Sequence, residues 1–548
     1  MNNITTYKYD ACSNLTEIVH PFGHAEFFTY DSLHRKTASG KRQQSGGQNL
    51  NVTTYTYDSM GNLLTTTDPM ANTTTYRYNL NNQLVKVTDA LNNVTAYGYD
   101  PCGNRISATN ANGHETTYTY DKLNRVLTEK LPGEYTTRWT YDAAGRIAAK
   151  TEPKGDTTTY KYDKAGRLTD KTYKDGSMVT YTYDGNGNRL SMDDQLGRTL
   201  YQYDANGNLL EIIDCLGRKN TYTYDRANKR KTLTASFGAL TYEYDTAARL
   251  TALTDFSANR ITIGCDADDR INTINYPEGG KIAYTYINLD QIIKVGNTDF
   301  KGAYDNLAYQ YNGNGFVSSV THSVKSTNGI PVSIDYSLTY DSLNRLTSID
   351  SEENKSTEYH NAFTYDKLGN RLTHNKKWKI NYGGHYENGT YTYNSADLLS
   401  VKTLQFSEGH NIINKTYKYG YDANGNQTKE TDQTKVWTSH YDYENSLTSV
   451  VTGTEEILKN LYNGDGQLMG VIDSKNKNST YYQYDGSQVI ADLDGAGALI
   501  ASYTRLPSGK LLDMYNCEER RDLYYVFTDR VGSTSNAIRQ ECRKIEIL

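Results

Sequence analysis

Three short runs carry the residue types of a calcium loop: Asp184-Gly-Asn186-Gly-Asn188, Asp204-Ala-Asn206-Gly-Asn208 and Asp422-Ala-Asn424-Gly-Asn426. Alternating Asp and Asn oxygens could ligate a hard cation, but an EF-hand-type loop also needs Gly at its sixth position and a bidentate Glu at its twelfth. Here the sixth residue is Arg189, Leu209 or Gln427 and the twelfth is Gln195, Cys215 or Gln433. All three therefore read as β-turns in which Asp bonds its own backbone. His20 and His24 have the spacing of two zinc ligands on a helix. Pro21 and Gly23 between them oppose a helix, so the pair reads as surface-loop histidines. The cluster Asp266-Ala-Asp268-Asp269 could do acid–base work only inside a pocket; on a turn it reads as solvated charge. Cys12, Cys102, Cys215, Cys265, Cys517 and Cys542 lack metal-type spacing. No G-x-S-x-G elbow or phosphate-binding P-loop occurs. The expectation is a non-enzymatic chain with no catalytic, cofactor-binding or metal-ligating residues.

The elements that carry these turns follow from composition and spacing. The chain has 548 residues, with 51 Tyr against 10 Phe, 43 Gly and 8 Pro. Mean hydropathy is -0.75, yet net charge is only -6 and aromatics make up 12%. Tyr buries a large apolar ring while its hydroxyl seeks a partner, so a core can form that hydropathy does not register. The slightly acidic balance gives no basic field for nucleic acid. No apolar run reaches transmembrane length, and Met1–Asp10 shows no secretory signal.

Seventeen Tyr-Asp dipeptides run through the sequence, with Tyr-Asn substituting at Tyr78, Tyr311, Tyr393 and Tyr462. From Asp10 through Asp31, Asp58 and Asn79 to Asp266 the acidic or amide position recurs every 20 or 21 residues, apart from one interval of 27. That interval holds Lys41–Val52 (KRQQSGGQNLNV), which reads as a longer surface loop. After Asp266 the spacing loosens. About 22 copies of a roughly 21-residue unit are expected. In Thr199–Asp214 (TLYQYDANGNLLEIID), Tyr201 and Tyr203 fall on one face of a strand. Asp204 to Asn208 forms a turn with Gly207 free to take positive φ, and Leu209–Ile213 forms the return strand. Each unit is thus two short antiparallel strands and two turns. Rings repeating in register are expected to form aromatic ladders along the sheet.

The motif Y-x-Y-D-x-x-G-N/R-L stands intact at Tyr55–Leu63, Tyr160–Leu168 and Tyr201–Leu209. Its marker residues are Tyr55, Tyr57, Asp58 and Gly61; Tyr160, Tyr162, Asp163 and Gly166; and Tyr201, Tyr203, Asp204 and Gly207. It resembles the YD or rearrangement-hotspot (Rhs) repeat family of bacterial polymorphic toxins, insecticidal toxin-complex shell subunits and teneurins. The resemblance implies an all-β, repetitive antiparallel strand array, the YD shell, spiralling into a hollow or partly open shell. It assigns residues 1–462 to the repeats. Residues 463–548 become a last repeat with the start of the Rhs-associated core region, marked by Asp529, Gly532 and Ser533 within Thr528–Ser533. The D-P-x-G self-cleavage motif of that region has no counterpart, since Asp68-Pro69 and Asp100-Pro101 lie inside ordinary repeats. The chain is expected to be a piece of a larger ancestor without its own toxin, or a shell segment needing a partner.

Two functions follow from the resemblance. One is a β-shell scaffold, secreted or at the cell surface, that encloses or presents a toxin cargo or joins a companion shell subunit. The other is a recognition module binding a glycan or partner protein through Tyr-rich faces.

Overall fold

Thr, Tyr and Val alternate at period two between turn residues, a pattern that suits strands. The computed structural model is built of them. It describes residues 4–516, apart from 134, 288–289, 300–301, 303, 326–328, 330, 354–355, 381–382 and 409–410, together with the strands at 522–528 and 534–539. Among the described residues 48 strands form one sheet. Strands that follow one another in sequence pair antiparallel, as Gly197–Tyr203 does with Leu209–Ile213 and that strand with Lys219–Tyr224. No helix is long and apolar enough to cross a membrane. The expected all-β antiparallel array is what the chain forms.

The turn explains the motif. Asp204 Oδ1 accepts the N–H groups of Asn206 and Asn208 at 2.9 and 2.8 Å, and Asn208 Nδ2 donates to Asp204 Oδ2 at 2.8 Å. The turn closes with Gly207 at φ +83°, a conformation costly for most side chains. A β-bulge precedes the second Tyr of each pair, between Thr56 and Tyr57, Lys161 and Tyr162, and Gln202 and Tyr203. Where Arg replaces the second Asn it does more. Arg167 Nε donates to Asp163 Oδ2 at 2.6 Å, Nη1 donates to the Asp184 carbonyl of the next repeat at 2.7 Å, and the guanidinium lies 4.9 Å over Tyr183. The calcium-like runs are such turns, their carboxylates already committed to the backbone.

The expected ring-on-ring ladders are corrected by the register. Tyr201 and Tyr203 face Ile212 and Leu209 on the return strand, so Tyr rings recur on every second strand. That spacing, roughly 9.6 Å, exceeds the 4.5–7 Å of aromatic pairs. Arginines fill the interval: Arg189 lies 5.6 Å from Tyr181 and 4.8 Å from Tyr201, and Arg105 lies 5.8 and 5.3 Å from Tyr97 and Tyr118. Thr pairs such as Thr56–Thr65 and Thr223–Thr232, at 2.6 and 2.7 Å, add polar rungs, which is why the hydropathy is low.

Lys41–Val52 is less of a loop than expected. Lys36–Arg42 and Leu50–Tyr57 are strands. The connection between them is anchored through Ser45 Oγ and the Gly46 N–H, which both donate to buried Glu17. Burial pushes the Glu17 carboxyl up, but Lys8, Ser45 and Arg42 outweigh it and hold it at about 2. The loose spacing after Asp266 reflects longer strands, such as Gly383–Tyr393 and Asn411–Tyr421, rather than missing ones. Pairing continues across Tyr462, where Glu455–Tyr462 joins Leu468–Asp473.

The chain divides into two compact units, Met1–Glu134 with Gly264–Thr273 and Lys281–Thr416, and Tyr135–Ile263 with Ile274–Gly280 and Tyr417–Leu548. In the first, turns of the early run meet turns of the late run. Asn314 Nδ2 donates to Asp68 Oδ2 at 2.6 Å, and Asn112 Nδ2 to Asp366 Oδ2 at 2.9 Å. In the second, the Gly464 N–H donates to Asp194 at 2.6 Å, Arg189 grips Asp465 through both terminal nitrogens, and Tyr276 Oη donates to the Leu512 carbonyl at 3.0 Å. Its core includes Val179, Tyr181 and Met192, with Leu233, Leu253, Ile261 and Leu512 fully buried. A Cβ on Gly464 would stand 2.5 Å from Val179 Cγ1 and 3.1 Å from Met192 Sδ, so only glycine allows this approach.

Candidate functional site

The repeat residues singled out from sequence are placed as a lattice, each within its own hairpin, and are not gathered into a pocket. Tyr57 Oη donates to the Lys36 carbonyl at 2.8 Å, Tyr162 Oη to the Ile147 carbonyl at 2.9 Å, and Arg35 covers Tyr57 at 4.9 Å. Tyr55 and Ser39 share a hydroxyl contact of 3.2 Å. Tyr160 is pushed up to about 12, first by burial and then by Glu444. Asp58, Asp163 and Asp204 hold their turns around Gly61, Gly166 and Gly207. Asp529, Gly532 and Ser533 lie outside the described residues, as do Cys517 and Cys542; Cys12 and Cys102 are free and exposed.

A cluster of polar groups that the sequence did not bring together lies in the first unit, where three turns meet. In the turn His20–His24 the two histidines stand where other turns carry Asp and Asn. The His20 N–H donates to the His24 carbonyl at 2.9 Å, and Gly23 closes the turn with φ +85°. In the turn Asp266–Arg270, Asp266 serves its own backbone and Arg270, which leaves Asp268 free to reach the first turn. The Phe22 N–H donates to Asp268 Oδ1 at 3.3 Å, and Arg270 lies 5.4 Å over the Phe22 ring. The third turn, Ile287–Gln291, contributes Asp290, whose Oδ1 accepts from Arg270 Nη1 at 2.7 Å.

His24 sits among these carboxylates at 1% exposure. Its Nδ1 is 3.7 Å from Asp268 Oδ2 and its Nε2 is 3.3 Å from Asp290 Oδ2. His20 stacks on its ring at 4.3 Å, the planes 9° apart. Neither His24 nitrogen forms a hydrogen bond, nor does Asp268 Oδ2. Burial holds the His24 imidazole below its usual value, while Asp290 and Asp268 pull partly back. Burial also pushes Asp290 up, but His24, Arg270 and Lys41 outweigh it.

Two expectations are corrected here. His24 is a core residue, and Asp268, 7% exposed in its side chain, is not solvated charge. The sequence held one local signal, histidine at both Asx positions of a repeat turn. It held none that the other two turns, some 250 residues on, would meet it.

A second buried acid lies in the other unit. Asp513 is 2% exposed with one carboxylate oxygen unpartnered. Burial, and then the nearby Asp255, raise it well above the carboxylate range. The first unit also has a cleft of about 550 Å³ between Phe28, Lys41, Asp68, Asn314, Phe316 and Asn344.

Two family models match the chain, Teneurin YD-shell over residues 45–200 and RHS Repeat over residues 203–240. The tRNA3(Ser)-specific nuclease WapA of Bacillus spizizenii is 28% identical over 222 residues, and the tRNA nuclease WapA of Bacillus subtilis 27% over 221. Each match takes in 40% of this chain and 8% of the relative's length. Among solved structures, TcdB2-TccC3-Cdc42 has a TM-score of 0.65 at 13% identity, over 99% of this chain and 34% of that one. TcdB2-TccC3 without its hypervariable C-terminal region has 0.59 at 14%, over 99% and 34%. A Photorhabdus luminescens Tc holotoxin pore structure has 0.58 at 14%, over 98% and 34%. The chain spans about a third of the length of those chains, and the likeness is one of fold. The motif read in the sequence is the motif that builds each hairpin, and both family models fall on it: the chain is a YD/Rhs-repeat protein.

Proposed function

We propose that the chain is a scaffold wall of a toxin-type system, secreted or at the cell surface, which encloses or presents a cargo or joins a companion shell subunit. The observation that carries this is the uninterrupted strand array with its turn-to-turn seams. Seams occupy turn edges that would otherwise be open, and the repeat side chains are used within the lattice rather than assembled around a substrate. The fold shared with TcdB2-TccC3 over 99% of this chain supports the reading. A lining of Tyr, Thr and turn polar groups would confine an unfolded cargo without a large apolar patch to hold it.

Small-angle scattering on purified protein tests it. A distance distribution with the signature of a hollow particle is expected; a compact or elongated solid profile would sink the enclosure. In that case the second reading, recognition of a glycan, gains from the cleft at Phe28 and Phe316, where exposed ring and amide groups suit a sugar.

A further inference from the structure

The His24 cluster is arranged around a missing positive charge. A neutral imidazole has a single N–H, so it can donate to only one of the two carboxylates it faces. The other ring nitrogen then points a lone pair at a carboxylate oxygen, acceptor against acceptor, at 3.3 or 3.7 Å. Buried groups are rarely left so, because an unpartnered acceptor away from water is costly. Yet His24 is 1% exposed and neither ring nitrogen, nor Asp268 Oδ2, has a hydrogen-bond partner. Something electropositive between them would relieve all three.

We propose that His24, Asp268 and Asp290 bind a divalent metal ion of the zinc class, which joins the turn His20–His24 to the turns at Asp268 and Asp290. One ligand atom from each of the three lies within 4.8 Å of the others. Ligands around a tetrahedral zinc sit roughly 3.4 Å apart, a separation His24 Nε2 and Asp290 Oδ2 already have at 3.3 Å. Asp268 needs only a small inward shift. Asp290 is 40% exposed in its side chain, leaving room for ion entry and for a water as fourth ligand. Imidazole with two carboxylates is a donor set zinc accepts. Arg270 holds Asp290 by its other oxygen at 2.7 Å, as an orienting group outside the coordination sphere does. Asp266, Asp268 and Asp290 against Arg270 and Lys41 leave one negative charge for the cation to meet.

Such an ion would act as a clasp. The first strand, Thr6–Tyr9, is exposed throughout, and a terminal repeat has a neighbour on one side only. Tying His24 to turns about 250 residues later would hold that end of the array.

Cobalt(II) titration of chelator-stripped protein at neutral pH tests this. A saturable visible d–d absorption is expected without the near-ultraviolet band of a cysteine thiolate ligand. Zinc should displace the cobalt and raise the melting temperature. Affinity should fall at least tenfold in Asp290→Asn and in His24→Gln. Asp290→Asn alters a partly exposed side chain and decides the matter if His24→Gln does not fold. Absence of saturable binding, unchanged affinity in Asp290→Asn, or a thiolate band would each overturn the site; the last would assign the metal to the free cysteines.

Discussion

The Tyr183 hydroxyl donates to the carbonyl of Leu168 at 2.8 Å, linking one repeat to the one before. The backbone ladder between these strands begins at Asp170 and Thr180, short of Leu168. The hydroxyl therefore supplies a bond that the bulged backbone cannot. Tyr99 does the same for Leu84, Tyr120 for Arg105 and Tyr224 for Leu209, each 15 residues back. This is a physical reason for 51 Tyr against 10 Phe.

Tyr183→Phe should therefore destabilise although it keeps the ring. Leaving the Leu168 carbonyl unpartnered costs about 1–2 kcal/mol, read as a lower urea midpoint at unchanged slope. Tyr9, 60% exposed at the outer strand, is the control, and Tyr9→Phe should lie within about 0.5 kcal/mol of wild type. Equal effects at the two sites would refute the inter-repeat role of the hydroxyl.

Two glycines should fail in different ways. Gly207 has φ +83°, but asparagines take the equivalent turn position at Asn124 and Asn228 with φ +60° and +59°. Gly207→Ala should cost about 1–2 kcal/mol, and Gly207→Asn most of a kilocalorie less, because Asn tolerates the left-handed region. At Gly464 the obstacle is Val179 and Met192 rather than φ. There Ala and Asn should both destabilise, by about 1–3 kcal/mol or more from overpacking. Rescue of Gly464 by Asn would contradict the close approach.

What was legible in the sequence was local. Period-two Tyr and Thr, an Asp that bonds its own turn and a Gly with positive φ specify the hairpin, and recurrence at 20 or 21 residues specifies the array. Register was not legible: nothing in Y-x-Y-D shows that an aliphatic strand intervenes between successive rings, so Arg189 rather than another Tyr sits beside Tyr181. Nor could spacing show which turns meet across some 250 residues, which is what places His24 beside Asp268 and Asp290 and Asp513 beside Asp255.

Arg167 should not tolerate lysine. Its fork reaches Asp163, the Asp184 carbonyl and the Tyr183 face at once, and a point charge cannot serve all three. These groups are partly exposed, so the expected loss in Arg167→Lys is modest, about 0.5–1.5 kcal/mol. Much of it should persist in high salt, because the stacking and the bond to the carbonyl are screened less than the ion pair. Complete loss of the difference in 1 M salt, roughly a 3 Å screening length, would reduce the strut to an ordinary surface pair.

Asp513 gives stability a pH dependence with a definite sign. Its folded-state value is raised, chiefly by burial, so the folded protein binds a proton that the unfolded chain has released. Stability from this group is then fully present below the unfolded carboxylate value, near 3.9, and declines as pH rises from there toward the folded value. Turn carboxylates such as Asp204, held down first by Asn208, act oppositely, and their contribution disappears as pH falls below about 4. Asp513→Asn replaces the protonated acid with a neutral group of the same shape. Its urea midpoint should match wild type at pH 4 and exceed it at pH 7 to 8, with the two curves diverging steadily between. A variant less stable than wild type across that range would mean that the carboxylate is needed in its charged form, and that its buried oxygen has a partner.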